Sequence, residues 1–219
     1  MKVYAEFLVE NGIEYRTKTI LQFGDNWDLI GSIVMKNPGS ASIKNQSTID
    51  TKAFGEIKKN YYKSGIDEKN WYEFKPDPTM YQVEKLFDGS YIDNKRELNG
   101  VILIFNLFNI RENDIVKAKI IYKKALESNS QYLHPIENEV FELMKNRPVY
   151  LSWYWEWQFV NTSFADRIFE YVKNSDFMYL DDVEKINNSF YHPNYINRPN
   201  VYMSPKVQKT LQSFLKFYN

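Results

Sequence analysis

The chain has 219 residues, 43% hydrophobic and 26% charged, and its 28 basic and 28 acidic side chains give a net charge of zero. This composition is typical of one soluble domain with a sizeable core, and no apolar run reaches the roughly 20 residues that span a membrane. There is no cysteine and there are two histidines, which excludes disulfides, thiolate chemistry and a multi-histidine metal centre. We therefore expect a cytoplasmic protein with no membrane contact, no metal and no other cofactor.

The N-terminal region, residues 1–23, predicts an antiparallel β-hairpin. Residues 3–9 and 14–22 alternate between apolar and polar side chains. The Asn11-Gly12 pair between them is a strong signal for a two-residue turn. We expect this hairpin to open the fold.

After the hairpin, strand patterns alternate with helix patterns. Helices are predicted at 51–62 (with Asp50 as N-cap), 80–86, 113–128, 135–145, 163–173 and 204–217, and strands at 29–35, 100–108, 149–153 and 177–180. Such alternation implies right-handed crossovers and a parallel sheet between helices. We predict an α/β three-layer sandwich with a mainly parallel four-stranded central sheet plus the N-terminal hairpin. All of it forms one domain, 1–219, with its core at 29–219.

Polar or aromatic residues stand at the carboxyl ends of three predicted strands. The turn Asn37-Pro38-Gly39 follows the first, Asn106 follows the buried run of the second, and Trp153 ends the third. In an open parallel sheet, ligands bind outside the carboxyl ends of the strands. The sequence therefore predicts a binding site at this edge.

Each of these residues also has a purely structural explanation. Asn37-Pro38 is good turn chemistry, Asn106 is suited to cap the next turn, and Trp153 is suited to pack against the following helix. His192 stands between Tyr191 and Pro193 in a polar segment, where an exposed loop is an equal alternative.

The order of these motifs resembles the uracil-DNA glycosylase superfamily, whose mismatch-specific branch uses Asn-Pro-Gly. The resemblance covers most of 29–219 and implies a glycosylase-like fold. It implies that Asn37 holds the attacking water, that Asn106 binds the base edge and that His192 stabilises the departing base. The other substrate-binding positions it implies are Pro38, Gly39, Trp153, Tyr195 and Arg198.

Two features of the sequence depart from the superfamily pattern. Met35-Lys36 replaces the usual glycine-containing lead-in, and the last motif reads His-Pro-Asn-Tyr where His-Pro-Ser-Pro is usual. The N-terminal half also resembles an uncharacterised bacterial family, DUF1643, through Met35-x-Asn-Pro and Asn106-Leu-Phe-x-x-Arg111. That second resemblance implies no activity.

We therefore expect a monofunctional DNA glycosylase that hydrolyses the N-glycosidic bond of a damaged or modified base, in repair or in anti-phage defence. DNA is the expected partner, and no obligate protein partner is indicated. One open alternative is a non-catalytic module of the same fold that binds a nucleotide or a modified nucleic acid. Another is a doubly wound enzyme acting on a small phosphorylated or nucleoside ligand, although Gly-x-Gly-x-x-Gly and P-loop motifs are missing.

Overall fold

A computed structural model describes residues 1–44, 48–153, 162–174 and 192–216. The strands are β1 (Lys2–Glu10), β2 (Ile13–Phe23), β3 (Leu29–Met35), β4 (Trp71–Phe74), β5 (Gly100–Asn106) and β6 (Val149–Ser152). The α-helices are α1 (Thr51–Asn60), α2 (Pro78–Phe87), α3 (Ile115–Glu127), α4 (Glu137–Met144), α5 (Thr162–Lys173), α6 (Pro193–Ile196), α7 (Pro199–Tyr202) and α8 (Pro205–Leu215).

In the described part of the chain, the strands form one mixed sheet of six strands in the order β4-β1-β2-β5-β3-β6. Among the described strands, β3 pairs in parallel with β5 and with β6, whereas the pairs β4–β1, β1–β2 and β2–β5 are antiparallel. The prediction of a mainly parallel four-stranded sheet was therefore wrong, although the α/β class is confirmed. The hairpin is part of the sheet because β5 pairs with β3 along one side and with β2 of the hairpin along the other. The predicted strand at 177–180 lies outside the described residues.

The predicted hairpin is confirmed, and its turn explains its register. Asn11 and Gly12 have φ values of 51° and 74°, the left-handed pair that a tight two-residue hairpin turn requires. Further along, Ala5 pairs with Thr19 but Phe7 pairs with Arg16, so β2 carries one extra residue. This bulge changes which face of the sheet the start of β2 presents.

Two apolar cores cover the two faces of the sheet. The first core contains buried side chains of α1, α3, α4 and α5, and the second contains those of α2, α6 and α8. Along β5 the side chains alternate between them, with Leu103 and Phe105 in the first core and Ile102 and Ile104 in the second. The three-layer arrangement that the sequence predicts is therefore present in the described residues.

Helix starts follow local capping chemistry. Asp50 accepts a hydrogen bond from the Ala53 backbone N–H at 3.0 Å, as predicted for the N-cap of α1. Asp114 caps α3, and Ser204, followed by Pro205, caps α8. Helices are present at all six predicted places, with bounds that differ by a few residues. The sequence does not predict β4, because this strand has four residues and is too short to show an alternation of apolar and polar side chains. Its Trp71 and Phe74 face opposite cores.

Candidate functional site

Asn106 and Ser152 end the two strands that flank β3, and both pair with Met35. Their side chains lie on the face of the second core, because Ile104 and Tyr150, two residues earlier, belong to that core. Asn106 is 1% exposed, and neither atom of its amide has a hydrogen-bond partner among the described residues. The same holds for the Ser152 hydroxyl. A buried amide without a partner is costly, so Asn106 marks a candidate binding site.

Arg16 places a buried positive charge on the same face. Its Cζ atom lies 5.8 Å from the centre of the Phe74 ring, in the second core. The residue is 1% exposed, and its Nε and Nη1 atoms have no hydrogen-bond partner within the described ranges. Burial lowers the pKa of Arg16 to about 10, with Asp77 opposing the shift and Arg111 adding to it. The group therefore remains cationic at neutral pH.

The turn after β3 is held by the side chain of Asn37. Its Nδ2 atom donates to the carbonyl oxygens of Glu112, at 2.5 Å, and of Pro38, at 3.1 Å. Both N–H bonds of the amide are thereby used, so its Oδ1 atom is the one left to accept a hydrogen bond. The side chain braces the turn and at the same time holds this oxygen in a fixed direction.

The loop after β3 crosses the edge of the sheet. Ile43 forms a bridge with Phe74 of β4, which lies four strands away from β3 in the sheet order. At about 4.8 Å per strand the loop covers roughly 19 Å. It thereby links the carboxyl end of β3 to β4 on the far side of the sheet.

Asp77 lies at the start of α2, beside this loop. Its Oδ1 atom accepts a hydrogen bond from the Met80 backbone N–H at 3.0 Å and so caps the helix. A Cβ atom at Gly39 would lie 2.7 Å from Asp77 Oδ2, closer than real Cβ contacts allow. Glycine therefore permits the close approach of the loop to this carboxylate.

His192 lies close enough to Lys36 and Asp77 for both charges to affect its pKa. Burial lowers the pKa of His192 to about 4, the Lys36 cation lowers it further and Asp77 opposes the shift. The imidazole is therefore neutral at neutral pH. Its Nδ1 atom accepts a hydrogen bond from the Asn194 backbone N–H at 3.2 Å, so the proton is on Nε2. The Asn194 side chain donates to Thr79 Oγ1 at 2.9 Å, which ties this segment to α2.

We call these residues the strand-end cluster: Arg16, Lys36, Asp77, Asn106, Ser152 and His192. Three cations, Arg16, Lys36 and Arg111, lie in or beside the cluster, and the Asp77 carboxylate acts on both Arg16 and His192. Burial lowers the pKa of Lys36 to about 8, so this amine is largely charged at pH 7. The cluster is suited to a ligand with hydrogen-bonding edges and negative charge.

The structure brings several predicted site residues to this edge but not all. Asn37, Pro38, Gly39, Asn106 and His192 lie there, as expected from the strand ends. Trp153 does not, because it is 4% exposed in the first core, on the opposite face from Asn106. Packing against the following helix, α5, explains it better. The Tyr195 side chain lies outside the described part of the chain, and Arg198 is exposed between α6 and α7.

Sequence reasoning missed Arg16, Asp77 and Ser152. An arginine inside an alternating strand reads as an exposed residue unless the bulge in β2 is known. Asp77, between Pro76 and Pro78, is recognisable in the sequence as an N-cap. The nearby sequence does not show, however, that Arg16 and His192 lie close to it in space. Ser152 could have been found from the sequence, because it stands at the end of a buried strand, where a hydroxyl group needs a hydrogen-bond partner.

A partly open cavity lies on the opposite face of the sheet, beside α4. This cavity of about 310 Å³ is lined by Glu6, Lys18, Tyr132, His134 and Glu139 among others. Asn109 Oδ1 has no partner among the described residues, but the ionisable groups Glu6 and His134 are engaged: Glu6 accepts from Thr17 Oγ1 at 2.6 Å, and both ring nitrogens of His134 are hydrogen-bonded. It is therefore the weaker candidate.

In the described ranges, no group of three or more histidine, cysteine or acidic residues is placed to hold a metal ion. A search of the same residues finds no helix with the length and apolar character needed to cross a bilayer. Comparisons with protein-family models, with curated proteins and with solved structures find no match. The fold and the strand-end cluster thus define an α/β protein with a candidate ligand site at the carboxyl ends of β5, β3 and β6.

Proposed function

We propose that this protein is a monofunctional DNA glycosylase that hydrolyses the bond between deoxyribose and a damaged or modified base. The observation that carries the proposal is the buried amide of Asn106, whose donor and acceptor have no partner among the described residues. An amide offers a donor and an acceptor side by side, which complements the edge of a nucleobase. A base flipped out of DNA would bring such an edge to the site.

The charges around Asn106 suit the chemistry of base release. Breaking the N-glycosidic bond leaves the electron pair on the base, so the site must stabilise negative charge as it develops. His192 is neutral and carries its proton on Nε2, so it is a hydrogen-bond donor for the departing base. Lys36 adds positive potential beside it. The Oδ1 atom of Asn37 is held in place to accept a hydrogen bond from the attacking water.

The test is abasic-site formation on DNAs that carry uracil, mismatches or hypermodified bases. We expect release from at least one of them, and a loss of at least about 100-fold in rate for Asn106→Leu, Asn37→Ala and His192→Gln. Asn60→Ala, at an exposed asparagine at the end of α1, is the control and should leave the rate unchanged. The proposal fails if no DNA loses a base, or if Asn106→Leu is as active as the wild type.

A second function, a non-catalytic module that binds a nucleotide or a modified nucleic acid, is favoured by one observation. Both N–H bonds of Asn37 are used on backbone carbonyls, which is what a turn brace alone would require. Binding of a modified DNA without base release, lost in Asn106→Leu but retained in Asn37→Ala, would select this function. Loss of binding in both variants would indicate that Asn37 and Asn106 maintain the structure at the carboxyl ends of the strands.

A further inference from the structure

The charge of Arg16 is poorly compensated for a residue so deeply buried. Its Nε and Nη1 atoms carry three N–H bonds, and none of them has an acceptor in the described part of the chain. The nearby carboxylate of Asp77 is partly committed, since its Oδ1 atom caps α2. Desolvating an ion costs several kcal/mol unless hydrogen bonds and an opposite charge compensate it. A purely structural arginine would be expected to find acceptors in the fold.

Arg111 shows what a structural arginine looks like in this protein. Its Nε donates to the Ala41 carbonyl oxygen at 2.9 Å, its Nη2 to the Ser40 carbonyl at 3.3 Å, and its Nη1 to Glu14 at 2.5 Å. Arg16 lies close enough to Arg111 for the two charges to interact, yet its Nε and Nη1 atoms have no such acceptors among the described residues. The contrast indicates that the donors of Arg16 serve a group outside the described residues.

The surroundings of Arg16 favour an anion. Arg111 adds positive charge near Arg16, and Asn106 on the neighbouring strand β5 adds an amide on the same face that has no partner among the described residues. A planar guanidinium can donate two parallel hydrogen bonds to the oxygen atoms of a phosphate or a carboxylate. Lys36, Gly39 and His192 are only half-buried, so solvent reaches these residues at the rim of the strand-end cluster.

We propose that Arg16 is an oxyanion anchor, which binds a phosphate or carboxylate group of a ligand in the strand-end cluster. The phosphate would belong to a nucleotide, and the carboxylate to an acidic substituent on a base. This inference stands on the buried charge and does not require base excision. Substrates or ligands that carry such a group are therefore the class that the site selects.

Two matched pairs of probes test the proposal by calorimetric titration and thermal unfolding. Deoxyuridine monophosphate against deoxyuridine tests phosphate, and 5-carboxyuracil against thymine tests carboxylate. We expect the oxyanion member of at least one pair to bind at least tenfold more tightly and to raise the unfolding temperature. Preference within the first pair assigns a phosphate, and preference within the second assigns an acidic base.

The variant Arg16→Met removes the charge but keeps most of the side-chain volume. We expect it to unfold at the wild-type temperature or above it without ligand, and to lose the preference for the oxyanion probe. Arg16→Lys keeps the charge but not the planar donors, and it should bind the oxyanion probe at least tenfold more weakly. This variant tests the proposal if Arg16→Met does not fold. Arg147→Met, at an exposed arginine, is the control.

Equal binding of both members of both pairs would overturn the proposal, as would a preference that persists in the Arg16 variants. Because the probes are free nucleotides and bases, the outcome is separate from that of the abasic-site assay. If the protein binds deoxyuridine monophosphate through Arg16 but releases no base, the oxyanion-anchor proposal stands and the glycosylase proposal fails.

Discussion

The Nε atom of Arg111 donates a hydrogen bond to the carbonyl oxygen of Ala41 at 2.9 Å. This bond joins the segment after β5 to the loop after β3. Arg111 also contacts Ser40 in that loop and Glu14 in β2, so one side chain connects three parts of the chain. The loop after β3 is therefore fixed both to β2 and to the segment after β5.

Arg111→Lys should loosen this loop, because a single ammonium cannot reach Ala41, Ser40 and Glu14 together. We expect the free energy of unfolding, measured with urea, to fall by about 1–3 kcal/mol. Lys44→Met is the control, since it breaks an exposed ion pair with Glu73 that should contribute less than about 1 kcal/mol. Equal losses in the two variants would show that Arg111 is no more than a surface ion pair.

Asn106→Leu should leave stability unchanged or raise it by up to about 2 kcal/mol, because it removes a buried amide that the described residues do not satisfy. Asn109 is the matched control, being equally buried but with Nδ2 donating to the Tyr132 carbonyl at 2.9 Å. Asn109→Leu should therefore lower stability by about 1–3 kcal/mol. If urea unfolding shows Asn106→Leu to be as damaging as Asn109→Leu, the amide of Asn106 has a structural role.

His192 should make stability depend on pH. Its pKa of about 4 in the folded protein lies below the ordinary value of 6.5, so the unfolded chain takes up the proton first. The contribution is present above about pH 6.5 and is lost as pH falls towards 4, amounting to as much as about 3 kcal/mol. Urea unfolding at pH 7 and pH 4.5 should show a smaller loss for His192→Gln than for the wild type.

The neighbours of His192 provide a check on that result. Lys36→Met should raise the pKa of His192, and Asp77→Asn should lower it, because their charges act in opposite directions. Imidazole NMR titration measures this directly, with His134 as the other signal in the spectrum. Movement of the pKa in the same direction in both variants would contradict the placement of these charges.

Two glycines should respond in opposite ways to alanine. Gly55→Ala, in α1 with open space around its Cα, should raise the free energy of unfolding by about 0.5–1 kcal/mol. Gly39→Ala puts a methyl group 2.7 Å from Asp77 Oδ2 and should lower it by about 1–2 kcal/mol as the cap of α2 shifts. Stabilisation by both substitutions would mean that Asp77 moves away at no cost.

Local elements of this protein follow from short stretches of sequence. The Asn11-Gly12 turn is predictable because both residues tolerate positive φ, and the N-cap Asp50 is predictable because its side chain bonds a backbone N–H three residues on. The position of Asn106 at the end of a buried strand is likewise visible in the pattern. Each of these depends on a few neighbouring residues.

Which strands become neighbours was decided only by the tertiary structure. The pairing of β2 with β5 joins residues about eighty positions apart and turns the predicted parallel sheet into a mixed one. The bulge in β2 then turns Arg16 onto the face of Asn106, while Trp153 faces the other core. Local preference determines the conformation of a segment, but strand partners and faces depend on which non-local arrangement buries the most apolar surface and satisfies the most hydrogen bonds.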